Sequence, residues 1–479
     1  MLKYPFVVFA VSSLLASCAV GPDYPPPELT APDHFYGQDS TSKNINQTDI
    51  IEWWKRFDDE LLTQYIAIAL NQNLDIAQAT ARVAQAQAGI GATNAALLPS
   101  ASISGQAARA YQSVETPIGQ ILNSSPGFER PGNNYEVNLN VGWELDLFGG
   151  LRREREAALA EYQASSAGVA AARLAIAAQT ANLYINVRGL QTRLNIARKQ
   201  VAIQQEKLSL IELLYSKGLA AEQQVDQARA FVAQTQAVIP DLEAGLEISM
   251  NSLDVILGVA PGTHRNELKL SAQIPATPDI TSMGTPAELL LRRPDLIIAE
   301  NRLIAANAMI GASIAEYYPK FSLNGLLGSA TSISGDNLFS SNANQAAGIL
   351  GLRWRLFDFA RIDAQIEQAK GHQAEMLSAY RLAVLKATED VENAFTILVK
   401  REQQKTALTE GVEALSNARD ATFTAYEKGT VSMLNVLEND DRLLQMSDRQ
   451  TLIKTESAKA AVAVFKALGG GWQTDTEQL

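Results

Sequence analysis

The sequence predicts a mixed α and β membrane protein, in which four membrane-type strands per chain are continued by very long coiled-coil helices. Three observations predict it: a strand with apolar and polar residues in alternation at 134–146, a proline-free helical stretch at 151–215, and a second copy of both downstream. The strands need an apolar environment on one face and water on the other, and the helices are longer than a compact core requires.

The first strand of this kind has a period of two. Its apolar positions are Tyr135, Val137, Leu139, Val141, Trp143 and Leu145, with polar residues or glycine between them. A weaker alternation precedes it at 101–107, and the second copy ends in Leu350, Leu352, Trp354 and Leu356. Two strands in each half of the chain give four strands in all.

The long helices carry apolar residues at alternating steps of four and three. The first seam is Leu183, Val187, Leu190, Leu194, Ala197 and Val201, and the second is Tyr380, Val384, Ala387, Val391, Ala394 and Leu398. This heptad pattern predicts helices that pack along their length against other helices. A helix over 151–215 would be on the order of 100 Å long at 1.5 Å per residue.

The amino terminus reads as a secretory signal over 1–17, with one positive charge, a short apolar run and the ending Leu-Ala-Ser before Cys18. This ending resembles the bacterial lipobox, which implies that Cys18 is acylated and becomes the first residue of the mature protein. Cys18 is the only cysteine of the 479 residues, so internal disulfides are excluded. The proline-rich stretch 18–55 is then predicted to be an extended, lipid-anchored tether.

The remaining elements follow in order. We predict a helix from 59 to 98 that ends before Pro99, a loop at 117–132 rich in proline and glycine, and a returning helix at 222–257 kinked at Pro240. The predicted divisions are a first repeat at 56–258, a connector at 259–284, a second repeat at 285–472 and a polar tail at 473–479.

The repeat is visible when the chain is aligned with itself. The shift is 220 residues for Asp75 and Asp295, Gly91 and Gly311, and Pro99 and Pro319, and 211 for Trp143 and Trp354, Gly218 and Gly429, and Val225 and Val436. Four strands leave unpaired edges, which lipid does not tolerate, and the smallest membrane barrels have about eight strands. At least two copies of the chain must therefore share one barrel.

Several motifs resemble the TolC family of outer membrane efflux proteins, and in particular its lipoprotein branch, which includes OprM. They are Leu-Leu-Arg-Arg-Pro-Asp at 290–295, Tyr-Pro-Lys-Phe-Ser-Leu-Asn-Gly at 318–325, Trp-Glu-Leu-Asp-Leu-Phe-Gly at 143–149 and the ending at 465–472. The resemblance implies a homotrimer with a twelve-stranded outer membrane barrel, a periplasmic tube of helices, a periplasmic adaptor (membrane fusion) protein and a proton-driven inner membrane pump.

The ends of the long helices carry a repeated Tyr-x-x-Gly motif at Tyr215 to Gly218 and at Tyr426 to Gly429, which predicts tight helical-hairpin tips. Beyond the second tip, Leu434, Asn435 and Glu438 share one helix face because they are three and four residues apart. The resemblance places this face at a periplasmic gate, where Asn435 and Glu438 stand at positions at which aspartate is common. Three copies of Glu438 around one axis would repel one another and favour cations.

Other classes of function find little support. The net charge of −12 excludes the basic footprint of a nucleic-acid-binding protein, and His34, His264 and His372 lack the spacing of a catalytic or metal site. We therefore expect no enzyme and no cofactor other than the lipid on Cys18. The predicted function is the passive exit duct of a tripartite drug efflux pump, and the alternative is a duct for type I protein secretion or metal-ion export.

Overall fold

The computed structural model describes residues 19–27, 50–270, 272–278 and 292–472. The signal segment 1–17, Cys18, most of the tether, part of the connector and the tail 473–479 lie outside these residues. The chain divides into two units. The strand unit contains the described residues up to Pro27 with Val83–Ala164 and Ala299–Ala379, and the helical unit contains the rest.

The elements repeat in the predicted order. The strands are β1 (Ser100–Tyr111), β2 (Pro131–Leu145), β3 (Lys320–Thr331) and β4 (Asn344–Arg353). The helices are α1 (Glu60–Gln72), α2 (Leu74–Ala96), α3 (Pro117–Asn123), α4 (Gly150–Ser216), α5 (Glu222–Ile256), α6 (Arg265–Leu268), α7 (Pro294–Ala315), α8 (Phe359–Glu427) and α9 (Met433–Ala467). Short 3-10 turns cover Trp53–Phe57, Gly335–Asn337 and Ser341–Ala343.

The strand unit contains one antiparallel sheet in the order β1-β2-β3-β4. Its apolar face is open in the single chain, since Ile103 is 78% exposed and Leu350 is 71% exposed. The other face is polar: the Asn140 amide donates to Ser104 Oγ at 2.9 Å, and the Gln345 amide donates to Asn138 Oδ1 at 2.7 Å. The two-faced sheet predicted from alternation is confirmed.

The repeat extends to single hydrogen bonds in the strand unit. Trp143 Nε1 donates to the carbonyl oxygen of Leu97 at 2.9 Å, and Trp354 Nε1 donates to the carbonyl oxygen of Tyr317 at 3.0 Å. These four residues are pairwise equivalent under the shifts of 211 and 220. The two halves are therefore built alike at the junction of strand and helix.

The long helices form as predicted. Helix α4 has 67 residues and α8 has 69, so each is about 100 Å long at 1.5 Å per residue. Seam residues such as Val187 and Val391 are buried to 1% exposure or less. Helix α5 continues through Pro240 without interruption. None of the helices in the described ranges combines the length and the apolar composition needed to cross a membrane.

The single helix predicted at 59–98 is wrong, because the chain breaks into α1 and α2 at Asn73. This residue is extended, with φ −65° and ψ 132°. Its side-chain oxygen accepts from the backbone amides of Asp75 (2.8 Å) and Ile76 (3.2 Å), and its amide donates to the carbonyl oxygen of Ile256 at 2.9 Å. Asn73 thus caps α2 and satisfies a carbonyl at the end of α5.

The tether predicted at 18–55 ends too late. Residues from Ile50 onward belong to the core of the helical unit: Trp53 is fully buried and stacks on Phe465 with ring centroids 5.4 Å apart. The amide of Gly471 donates to the carbonyl oxygen of Ile50 at 3.0 Å, so the two ends of this unit meet. Apolar burial of the two tryptophans, Trp53 and Trp54, outweighs the extended character expected from the neighbouring prolines.

Two smaller expectations also need correction. The loop predicted at 117–132 contains the seven-residue helix α3, which begins with a proline and has Thr116 as its N-cap. Strand β4 ends at Arg353, so Trp354 and Leu356 lie beyond the strand, in the corner that leads to α8. The corner contains Phe357, whose φ of +64° is incompatible with a continuing strand.

Asn73 provides a test of the break. We expect Asn73→Ala to lower the free energy of unfolding by about 2–3 kcal/mol, because it removes a helix cap and leaves the Ile256 carbonyl without its partner. Denaturant titration followed by circular dichroism measures this change. Asn71→Ala, at an exposed position two residues earlier, is the matched control, and an equal loss in both variants would contradict the capping role.

Candidate functional site

Both hairpin tips close by the same backbone geometry. Gly218 and Gly429 have φ values of +74° and +73°, in the left-handed region that glycine adopts without strain. The Gly218 amide donates to the Tyr215 carbonyl oxygen at 2.9 Å, and the Gly429 amide donates to the Tyr426 carbonyl oxygen at 2.8 Å. The tips predicted from Tyr-x-x-Gly are thus sharp helix reversals, and both tyrosines are exposed.

The helices that follow the tips begin with equivalent caps. In α9, Asn435 Oδ1 accepts from the backbone amide of Ser432 at 3.2 Å and from Ser432 Oγ at 2.7 Å. In α5, Gln224 Oε1 accepts from the backbone amide of Ala221 at 3.1 Å. Because Gln224 and Asn435 are equivalent in the repeat, this contact gives Asn435 a capping role in addition to its predicted place at the gate.

Leu434 and Glu438 lie one turn apart near the start of α9. Asn435 and Glu438 are exposed and Leu434 is half-buried, whereas Val436 and Leu437, at 1% exposure each, form the packed side of the helix. The three predicted gate residues are therefore on the side of α9 that its own chain leaves open. The first repeat carries Gln223 and Gln227 at the equivalent positions. The leucine and the glutamate four residues after it are therefore specific to the second hairpin.

Three ion pairs hold α9 inside the helical unit. Arg193 binds Asp448 through two hydrogen bonds of 2.8 and 3.1 Å, Lys207 lies 3.8 Å from Asp441, and Arg419 Nε lies 2.8 Å from Asp440. Hydrogen bonds to Asp440 and Asp420 raise the pKa of Arg419 above its ordinary value. Sequence reasoning missed these pairs because their members are 21 to 255 residues apart.

The first two pairs connect α4 with α9, and therefore one helical hairpin with the other. The side chains of Lys207 and Asp441 are only 13% and 18% exposed, so solvent screens this attraction less than it screens a surface pair. Exposed ion pairs contribute about 0.2–1 kcal/mol each. Separation of the two hairpins in this region would break both of these ion pairs.

The two described histidines, His264 and His372, lie outside these tips. His264 Nδ1 lies 2.7 Å from Asp254 Oδ1, whose carboxylate also accepts from the backbone amides of Gly262 and His264. His372 is exposed beside Glu375, and His34 lies outside the described residues. Within the described ranges, no group of three or more histidine, cysteine, aspartate or glutamate residues is arranged to hold a metal ion. Cys18 also lies outside the described residues.

A family model described as outer membrane efflux protein matches residues 65–259 and 285–470. The chain belongs to this family. It is 32% identical over 424 residues to the pyoverdine export outer membrane protein OpmQ of Pseudomonas putida, covering 88% of this chain and 89% of that protein. It is 27% identical over 477 residues to the cation efflux system protein CusC of Escherichia coli O6:H1, covering 97% and 98%.

Solved structures agree with this assignment. The outer-membrane channel OprN superimposes with a TM-score of 0.83 at 30% sequence identity, covering 95% of this chain and all of that one. The resemblance to the efflux family, the fold class, the outer membrane location and the function as an efflux channel are therefore confirmed. Members of this family are channel proteins.

Proposed function

We propose that this protein is the outer membrane exit duct of a tripartite efflux pump. Three copies form the duct, which receives drugs or other small molecules from a periplasmic adaptor and a proton-driven inner membrane pump and conducts them passively. The proposal implies a contribution to antibiotic resistance. The observation that carries it is the sheet of the strand unit, which is amphipathic and has a free edge on each side.

The edges of this sheet require further copies of the chain. Strands β1 and β4 each have one neighbouring strand, so half of their backbone amides and carbonyls point to open edges. Each such group left unpaired in lipid costs several kcal/mol. Pairing of β4 with β1 of the next copy removes both edges, and three copies close a barrel of twelve strands.

The repeat supports a proposed site of contact between copies in the helices of the strand unit. In the strand unit, Ala160 and Ala308 are 2% and 0% exposed, and they belong to one apolar cluster that joins α4 and α7. Their equivalents, Gly371 of α8 and Ala88 of α2, are exposed in the single chain. The equivalent positions are therefore buried in one pair of helices and exposed in the other. This difference is expected if Gly371 of one copy packs against Ala88 of the next.

This contact gives a test of assembly. We expect Gly371→Trp to prevent trimer formation, because the indole would occupy the space where Ala88 of the next copy packs, whereas a Cβ at Gly371 has no neighbour within 4 Å in its own chain. Native mass spectrometry in detergent measures the oligomer. Gly371→Ala is the matched control, since it recreates the pair of alanines found at 160 and 308. A stable trimer of the tryptophan variant would refute this interface.

The face of α9 that carries Leu434, Asn435 and Glu438 is proposed as the periplasmic gate. Three copies of Leu434 around one axis would exclude water, as apolar constrictions do in channels, and three copies of Glu438 would attract cations. The ion pairs between α4 and α9 support a joint that the adaptor or the pump separates.

We expect Leu434→Ala combined with Glu438→Ala to raise single-channel conductance in planar bilayers and to let large antibiotics leak inward, because both rings of side chains would be lost. Gln223→Ala combined with Gln227→Ala, at the equivalent positions of the first hairpin, is the matched control. Unchanged conductance of a trimeric double variant would place the constriction elsewhere, with Tyr426 and Tyr215 the next residues to test.

Cys18 is proposed to carry the covalent lipid, including palmitate, as the lipobox-like ending at 15–18 suggests. The lipid would be a second membrane determinant beside the strands, because a lipid anchor alone usually binds membranes reversibly. We expect mass spectrometry of the mature amino terminus to show a diacylated cysteine. Cys18→Ala should abolish the modification and leave barrel insertion intact. An unmodified terminus at another residue would contradict the proposal.

The proposed substrates are drugs or other small molecules. The polar face of the sheet carries hydroxyls and amides such as Ser104, Asn138 and Asn140, and the strand register places Glu136 and Glu144 on the same face. The relative OpmQ is a pyoverdine export protein and CusC belongs to a cation efflux system, so metal-ion export is the second candidate. Identification of the inner membrane protein that co-purifies with the trimer separates a proton-driven drug pump from an ATP-driven secretion system.

A further inference from the structure

The segment that follows Cys18 is bound along its first residues to the strand unit. The Val20 amide donates to the carbonyl oxygen of Phe148 at 3.0 Å, at the corner between β2 and α4. From α7, the Asn307 amide donates to the carbonyl oxygen of Pro22 at 3.1 Å. Residues 19–23 therefore contact both halves of the repeat, α4 from the first and α7 from the second.

Arg153 of α4 makes most of the polar contacts. Its guanidinium donates to the carbonyl oxygens of Val20 and Gly21, both at 3.3 Å, and to Asp23 Oδ1 at 2.9 Å. The arginine is only 6% exposed, and on its own helix it binds Glu156 at 2.8 Å. A buried guanidinium needs acceptors for its donors, and residues 20–23 supply three of them.

Glycines make the close approach of the segment possible. A Cβ on Gly149 would lie 2.7 Å from Ala19 Cα, and one on Gly311 would lie 2.9 Å from Arg153 Cγ. Gly21 packs its backbone directly against Gly311. Gly149 and Gly21 also have φ values of +78° and +99°, which other residues rarely adopt. The groove is thus shaped for close approach of the backbone at Ala19 and Gly21.

The second half of the chain lacks this groove. The equivalents of Gly149 and Arg153 are Ala360 and Ala364, and the equivalent of Asn307 is Gln87. The chain has two corners of the same design but one amino-terminal segment, and only the corner bound by the segment carries the guanidinium and the glycine. Gly149, Arg153 and Asn307 are therefore specific to the segment, whereas Gly311 has Gly91 as its equivalent and belongs to the shared repeat.

We propose that Gly149, Arg153, Asn307 and Gly311 form a receptor for residues 19–23, which fixes residue 18 and its acyl chains beside the β2–α4 corner. Ala19 contacts Gly149, and Cys18 is the residue directly before Ala19 in the sequence. Strand β2 ends at Leu145, four residues before Gly149, so the lipid enters the bilayer at the rim of the barrel. Phe148 stacks on Tyr318 at 4.5 Å at this corner, as aromatic residues do at membrane surfaces.

The position of the acyl chains rests on the proposed acylation of Cys18, whereas the docking of residues 19–23 does not. Both the acylated chain and the Cys18→Ser variant are therefore examined, as full-length trimers in detergent. Hydrogen exchange of the peptide that contains Val20 reports docking, because the Val20 amide is bonded to Phe148. Equal protection in both forms is the expected result.

We expect Arg153→Ala to accelerate exchange at Val20 by about tenfold to a hundredfold, since hydrogen bonds to a charged group are lost. Arg153→Lys should give an intermediate rate, because one ammonium cannot reach three acceptors. Arg152→Ala is the matched control: Arg152 binds Asp146 and has no hydrogen bond to the segment among the described residues. Unchanged exchange in a trimeric Arg153→Ala variant would overturn the receptor.

The position of the lipid is tested with a photoactivatable palmitate analogue incorporated during growth. We expect crosslinks in the peptide around 146–155 of the acylated protein and their loss in Arg153→Ala. Crosslinks at the same peptide in both proteins would refute the positioning role. If mass spectrometry finds no acyl group on Cys18, the lipid part falls with the proposed acylation, and the exchange experiment still decides the docking.

Discussion

A backbone in lipid must satisfy its own hydrogen bonds, and this chain cannot do so alone. Its sheet has four strands and two free edges, with apolar side chains along one face and amides and hydroxyls along the other. Only closure with further copies pairs the edges and encloses the polar face. The duplication of helix, strand, strand and helix fits the same constraint, because in the proposed assembly each half offers a surface that an equivalent half covers.

The two halves share the geometry of their hairpin tips and differ at the residues of the proposed gate. Both tips turn at a glycine in the left-handed conformation, and both following helices are capped by an amide side chain, Gln224 or Asn435. One position before and three positions after these caps, glutamines in the first half are replaced by Leu434 and Glu438 in the second. Each hairpin needs only one capping side chain, so the other residues on the exposed face of α9 can differ between the two halves.

The two corners between strand and long helix also have one contact in common and differ in others. In each half a tryptophan donates to a carbonyl oxygen in the turn that follows the preceding helix, Leu97 after α2 and Tyr317 after α7. Only the first corner adds Arg153 and Gly149, which bind residues 19–23. A burial site for one guanidinium thereby connects residues 19–23 with the corner that follows strand β2.

The sequence by itself determined the elements whose signals are local. The alternation of apolar and polar residues predicted β2, the heptads predicted α4 and α8, and the tip glycines predicted the helix reversals. Alignment of the chain with itself predicted the repeat. Each of these signals depends on residues close in the chain or on a constant shift. Only the tertiary structure decided the break at Asn73, the burial of Trp53, the hydrogen bonds from Arg153 to residues 20–23 and the ion pair of Arg193 with Asp448. Each of these depends on a partner far away in the sequence, and the energy of a polar contact is set by the burial and geometry that the whole fold imposes.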